Sequence, residues 1–277
     1  MQHKIPVGDS MDVFITAVKV HGGAVFNGIS FVVHAGVDGL TRLLQAVPGP
    51  LLIVLLGLLI WLWRRSVWLA AFVSLALFFI MNQGYWPATL ETLSLVAFAA
   101  ATSTLIGVPI GIAAAHRPRL YAALRPVLDL MQTLPTFVYL IPTLVVFGLG
   151  VVPGLISTVI FALPAPLRLT QLGISGVPKS LIEAGEAFGA TRTQMLLKIE
   201  LPSAAPSILA GITQCIMLSL SMVVIAALVG AGGLGVPVVR ALNTVQIGMG
   251  FEAGIAIVLL AVILDRVLRP GLRRGQR

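Results

Sequence analysis

Gly176-Val-Pro-Lys-Ser-Leu-Ile-Glu-Ala-Gly-Glu-Ala-Phe-Gly-Ala-Thr-Arg-Thr-Gln-Met-Leu-Leu-Lys-Ile-Glu-Leu-Pro202 is a charged, amphipathic stretch set between apolar runs. It lies in a loop from about Gly173 to Ala205. Two short helices are predicted in it. The first spans about Lys179–Phe188 and stops at Gly189, a residue that ends helices by turning left-handed. The second starts at Thr191, which has capping-box spacing to Gln194, and ends at Pro202. Leu181, Ile182, Ala184, Ala187 and Phe188 give the first helix an apolar face, and Met195, Leu196, Ile199 and Leu201 give one to the second. Helices this short are marginal alone in water, so they need a partner surface. The pattern leaves open whether that surface is the chain's own membrane helices or a separate protein.

Outward from this loop the chain turns apolar. The runs are roughly Val47–Trp63, Val67–Met81, Ala88–Ala115, Val127–Leu149, Leu155–Leu172, Pro206–Val229 and Phe251–Leu268. At about 1.5 Å per residue, roughly 20 residues cross the hydrocarbon core. The first two runs are marginal and leave room for a shallow hairpin. The 277 residues are 58% hydrophobic and 10% charged. A water-soluble domain carries about 25% charged residues, so lipid must cover much of this surface. The expected fold is an all-α polytopic membrane protein with about seven transmembrane helices. The formal net charge of +8 does not indicate nucleic acid, because the basic residues sit at the ends of apolar runs.

Those residues give an orientation. Arg64 and Arg65, then Arg117, Arg119 and Arg125, then Lys179, Arg192 and Lys198, then Arg266, Arg269, Arg273 and Arg274 occupy alternate connections. Segments 82–87 and 151–154 carry no Lys or Arg, and Arg240 is the exception among the opposite loops. The positive-inside rule then puts the N-terminus outside and the C-terminus in the cytoplasm. Residues 1–46 mix charge with apolar residues and are broken by Gly22, Gly23, Gly28, Gly36 and Gly39. One or two amphipathic segments at the membrane surface are expected there. Residues 47–81 read as two accessory helices and 269–277 as a basic tail. No cleavable leader is expected, since the first long apolar run begins near Val47. His3, His21 and His34 lack the i, i+4 spacing of a helical metal pair, so no metal is expected. Cys215 reads as a small buried hydrophobe. Gly107-x-x-x-Gly111, Gly150-x-x-x-Gly154 and Gly250-x-x-x-Gly254 suit close helix packing.

The run Glu183-Ala184-Gly185, three residues, Gly189, nine residues, Ile199-x-Leu201-Pro202 resembles the EAA loop of ABC importer permeases. Gly185 stands where that pattern has alanine. Met131-Gln-Thr-Leu-Pro-Thr-Phe-Val-Tyr-Leu-Ile-Pro142, Ile160-Phe-Ala-Leu-Pro164 and Met222-Val-Val-Ile-Ala-Ala-Leu-Val-Gly-Ala-Gly-Gly-Leu-Gly235 are similar to the branch that imports glycine betaine, proline, choline and related quaternary ammonium solutes. The resemblance covers about Tyr85–Leu268. It implies a type I importer permease core at 85–268 in a prokaryotic inner membrane. It further implies a homodimer, two cytoplasmic ATPase subunits holding ATP and Mg, and an extracytoplasmic solute-binding protein. The loop would be the coupling helix, with Leu181, Glu183, Ala184, Gly185, Phe188, Gly189, Arg192, Met195 and Pro202 forming or contacting the ATPase joint.

The residues agree that energy must come from elsewhere. A P-loop needs Gly-Lys followed by Ser or Thr, and the lysines at 4, 19, 179 and 198 each follow another residue. No hydrolase or zinc-protease motif is present, so neither an enzyme nor a bound cofactor is expected. A secondary transporter or channel for small cations is the rival, but it leaves the two-helix loop unexplained. A quaternary ammonium group donates no hydrogen bond, so aromatic faces and carboxylates suit it. Gln132, Phe137 and Tyr139 in the fourth run, and Ser219, Ser221 and Met222 in the sixth, are candidate pathway residues. Asp129 and Arg168 match in depth and are expected to pair.

Overall fold

The structure, a computed structural model, describes residues 7–268, and its regular elements there are helical. They are α1 (Val7–Gln45), α2 (Gly49–Arg64), α3 (Val67–Asn82), α4 (Trp86–His116), α5 (Pro118–Thr133), α6 (Thr136–Phe147), α7 (Val151–Ala162), α8 (Pro164–Ser175), α9 (Lys179–Ala187), α10 (Arg192–Met195), a π-helical turn (Leu196–Glu200), α11 (Leu201–Ala227), α12 (Gly235–Thr244) and α13 (Ile247–Leu268). The basic tail expected at 269–277 lies outside the described residues.

The centre is α4 packed on α8 and α11, and small residues allow the approach. A Cβ at Gly107 would lie 3.2 Å from the Leu167 amide, and one at Gly211 would lie 3.1 Å from the Pro166 Cα. At the other end of the bundle Gly154 faces Ala226 and Ala231. Without a hydrophobic force between helices in lipid, such close van der Waals contact drives their association. Gly107-x-x-x-Gly111 is therefore a packing motif, whereas Gly254 has nothing within 4 Å. Around this centre, α2 and α3 join α4, α11 and α13 through Ile53, Ile60, Val73, Ile80, Val96, Leu220 and Leu260.

Five helices are long and apolar enough to cross a membrane, or six if the bent pair α5–α6 counts as one span. About seven were expected, and α2 and α3 are the apolar helices outside this count. Helices α2 and α3 have 16 residues each, about 24 Å at 1.5 Å per residue, short of the roughly 30 Å hydrocarbon core. By length and composition Ile15–Gln45 of α1 is counted among the five, although its contacts lay it along one end of the bundle. The expected breaks of α1 are absent, and it is one helix of 39 residues through all five glycines.

The two ends of the bundle are fixed by contacts. His116, closing α4, meets Glu200 beside the loop helices. Glu91, near the start of α4, meets Gly233 at the opposite end. Phe26 packs edge-on to Phe147 at 5.4 Å, and Asp38 and Thr41 share a small cavity with Glu91 and Gly232. Both contacts lie at the end away from the loop, so the second half of α1 runs along that end. Val33 and Val37 are its buried anchors against Leu95, Ala99, Val152 and Leu155.

The fourth apolar run is not one helix. It breaks between α5 and α6 with a bend of 97°. The break is built into the chain. Thr133 Oγ1 donates to the Asp129 carbonyl at 3.0 Å, and Tyr139 Oη donates to the Met131 carbonyl at 2.6 Å. The Met131 carbonyl, whose i+4 residue is Pro135 and has no N–H to give, thus finds a donor, while the Thr133 bond is a back-bond within α5.

Candidate functional site

The loop folds largely as its sequence dictates. Helix α9 ends at Ala187, and Gly189 takes the left-handed turn at φ +70°. The Gly189 amide donates to the Glu186 carbonyl at 2.9 Å and the Ala190 amide to the Gly185 carbonyl at 3.0 Å. The capping box is present in both directions, with the Thr191 amide donating to Gln194 Oε1 at 2.9 Å and the Gln194 amide to Thr191 Oγ1 at 3.3 Å. Pro202 does not end this second helix. The backbone passes from α10 through the π-helical turn into α11, and Pro202 sits in the first turn of α11. Inside this continuous helical backbone Pro202 cannot donate to the ladder, and the turn before it is π-helical, the Leu201 amide reaching back to the Leu196 carbonyl.

The faces of α9 are sharply divided. Gly185 is buried, and a Cβ there would meet Ile199 Cδ1 and the Met195 thioether. Leu181, Ala184 and Phe188, at spacings of three and four, point away from the chain. Phe188 is 92% exposed at the tip. Glu183, Gly189 and Arg192 are exposed beside it, and Met195 is half-buried under Gly185. Behind α9 lies a charged cleft of about 670 Å³ lined by His116, Arg117, Glu186, Arg192 and Glu200 among others.

The six pathway candidates do not converge on one face of this chain. Gln132, Phe137 and Ser221 are exposed. Tyr139 is buried and spends its hydroxyl on α5 carbonyls. Ser219 and Met222 are wholly enclosed, and Ser219 donates to the Cys215 carbonyl at 2.8 Å. The outward stripe of α11 instead carries Pro206, Ala210, Gln214 and Ser221. Sequence reading missed Gln214, although its spacing of seven from Ser221 was the available signal.

Asp129 and Arg168 do pair, Arg168 Nη2 donating to Asp129 Oδ1 at 2.6 Å. The pair ties α5 to α8 one turn before the helix break. Asp129→Arg or Arg168→Asp alone is expected to lower uptake at least about fivefold. The combined swap should recover to within about twofold of the parent, the signature of direct coupling. Uptake in vesicles, normalised to inserted permease, measures this, and unrescued singles would show that the pair carries nothing.

Two further contacts were not legible in sequence. At the end away from the loop, the Gly233 amide donates to Glu91 Oε2 at 2.7 Å and the Leu234 amide to Thr92 Oγ1 at 2.8 Å. Side chains of α4 thereby satisfy free amides at the start of α12. At the loop end His116 Nε2 lies 2.9 and 3.1 Å from the two carboxylate oxygens of Glu200.

Comparison with known proteins places this arrangement. Residues 107–269 match the family model described as binding-protein-dependent transport system inner membrane component. A glycine betaine transport system permease protein of Bacillus subtilis is 46% identical over 264 residues, covering 95% of this chain and 93% of that one. A glycine betaine/proline betaine transport system permease protein of Escherichia coli is 42% identical, covering 99% of this chain and 78% of the relative. Among solved structures, an inward-facing MetNI methionine ABC transporter aligns with TM-score 0.58 at 24% identity, over 69% of this chain and 95% of the other. That likeness supports the fold alone. The chain belongs to the family of inner membrane components of binding-protein-dependent transport systems.

Proposed function

We propose that this chain is the permease of an ATP-driven importer for glycine betaine and related quaternary ammonium solutes. The Leu181–Ala184–Phe188 face carries the coupling half of the reading, since all three side chains are left exposed by the described residues. The solute class rests on the relatives, named for glycine betaine and proline betaine. The working unit is two copies of the chain with two cytoplasmic ATPase subunits at the α9 tips and an extracytoplasmic binding protein at the other end. The α9 end then lies in the cytoplasm, as does the C-terminus, with the N-terminus outside. Closure of the ATPases on ATP and Mg shifts α9, and the bundles rock between outward and inward openings.

A second copy also answers a physical difficulty. Gln132, Thr133, Gln214 and Ser221 face outward from apolar helices. Irregular backbone and polar side chains are tolerated at membrane depth only where protein or a water-filled path covers them. The α5–α6 break and the outward stripe of α11 are therefore assigned to the pathway and the dimer contact. The decisive test is reconstitution with the ATPase and binding protein in vesicles and labelled glycine betaine as solute. ATP-dependent accumulation is expected, competed by proline betaine. Equal uptake without the ATPase would replace the importer with a channel or secondary transporter.

A further inference from the structure

We propose that His116 and Glu200 form a strut that makes α4 move with the coupling loop, so that both are positioning residues for ATP-driven transport. The proposal rests on the coupling reading above. Glu200 is 6% exposed, and His116 Nε2 contacts both of its oxygens at 2.9 and 3.1 Å. A buried carboxylate demands such a partner. The neutral imidazole with its proton on Nε2 already suffices as donor, and a second proton adds charge attraction. The other charged groups lining the same cleft are Arg117 at the end of α4, Glu186 of α9 and Arg192 of α10.

The location gives the contact its purpose. Glu200 closes the π-helical turn that joins α10 to α11. A π-turn has a wider, less regular hydrogen-bond ladder than an α-helix and often marks a functional joint. Left alone, that elbow absorbs a push on α9 by flexing. Bonded to the last residue of α4, 84 positions earlier, it is braced to the helix that packs on both α8 and α11. A displacement of α9 then reaches α4 directly, and α4 in turn holds the start of α12 through Glu91 and Thr92. These bonds put one helix, α4, between the coupling loop and the opposite end of the molecule.

The test is solute transported per ATP hydrolysed by the reconstituted complex. His116→Leu and Glu200→Gln should each leave ATPase assembly and hydrolysis near parental values and lower the transport-to-hydrolysis ratio at least about fivefold. His116→Gln keeps a donor to the carboxylate and should hold the ratio within about twofold. His116 is 46% exposed, so its variants are expected to fold. An equal ratio in His116→Leu and His116→Gln overturns the strut, as does hydrolysis falling in step with transport in both. If Glu200→Gln fails to insert, the two His116 variants decide alone. If the parent complex itself accumulates solute without hydrolysis, the coupling reading fails first and the strut falls with it.

Discussion

Phe188→Asp is expected to cut ATP-dependent uptake more than about tenfold while the permease inserts at parental levels. Phe188 is 92% exposed at the tip of α9, so its removal breaks almost no contact within the chain. Exposed substitutions of that kind change stability by about 0.5 kcal/mol or less. Any large loss must therefore arise in another protein. Buried aromatic anchors at interfaces are commonly worth about 2 kcal/mol or more, which is over tenfold in affinity, and a carboxylate in an apolar pocket adds a desolvation cost. The turn that presents the ring does not depend on it, because Gly189 at φ +70° and the amide bonds of Gly189 and Ala190 to the Glu186 and Gly185 carbonyls hold the backbone. Copurification of the ATPase with the variant and uptake in vesicles measure the effect together. Parental uptake by a well-inserted Phe188→Asp protein would remove α9 from the ATPase joint.

The loop could be read in advance because its signals are local. Gly189, Thr191 and Gln194 fix the backbone within a few residues, and the amphipathic spacing of Leu181, Ala184 and Phe188 needs no knowledge of the rest. Apolar runs were equally legible, since lipid imposes them residue by residue. What failed was depth and direction. Averaged hydropathy merged Val127–Leu149 into one span, although Asp129, Gln132 and Pro135 within it are the local signal for the 97° break, and its maintenance depends on Tyr139 folding back onto α5. Ser219 and Ser221 looked alike in sequence, yet two residues turn a helix by about 200°. One is enclosed and the other faces out. Pro202 looked like a stop because a proline's meaning depends on whether the next helix starts beneath it. The His116–Glu200 and Glu91–Gly233 contacts join residues 84 and 142 apart, a separation that no local pattern spans.

The second large effect is structural, and it lies at the α4–α8 contact on which both ends of the molecule depend. Gly111→Val is expected to destabilise the permease by about 3 kcal/mol, the upper range for overpacking a tight core. A Cβ at Gly111 would lie 2.6 Å from the Leu167 carbonyl oxygen and 2.8 Å from the Thr170 Cβ. Neither is the far end of a flexible side chain. The oxygen belongs to the backbone of α8, and Thr170 is itself fully buried. Relief therefore requires the helices to separate, and separation loses close contact along Gly107 and Gly111 together. In a protein of this size such a loss lowers the unfolding temperature by about 6–12 °C. Gly254→Val supplies the contrast, because a Cβ there meets nothing within 4 Å, and its unfolding temperature should stay within about 2 °C of the parent. Thermal unfolding in detergent distinguishes the two positions. A Gly111→Val protein as stable as Gly254→Val would mean that α4 and α8 are not held at the spacing described, and that α4 cannot then serve as the link between the two ends.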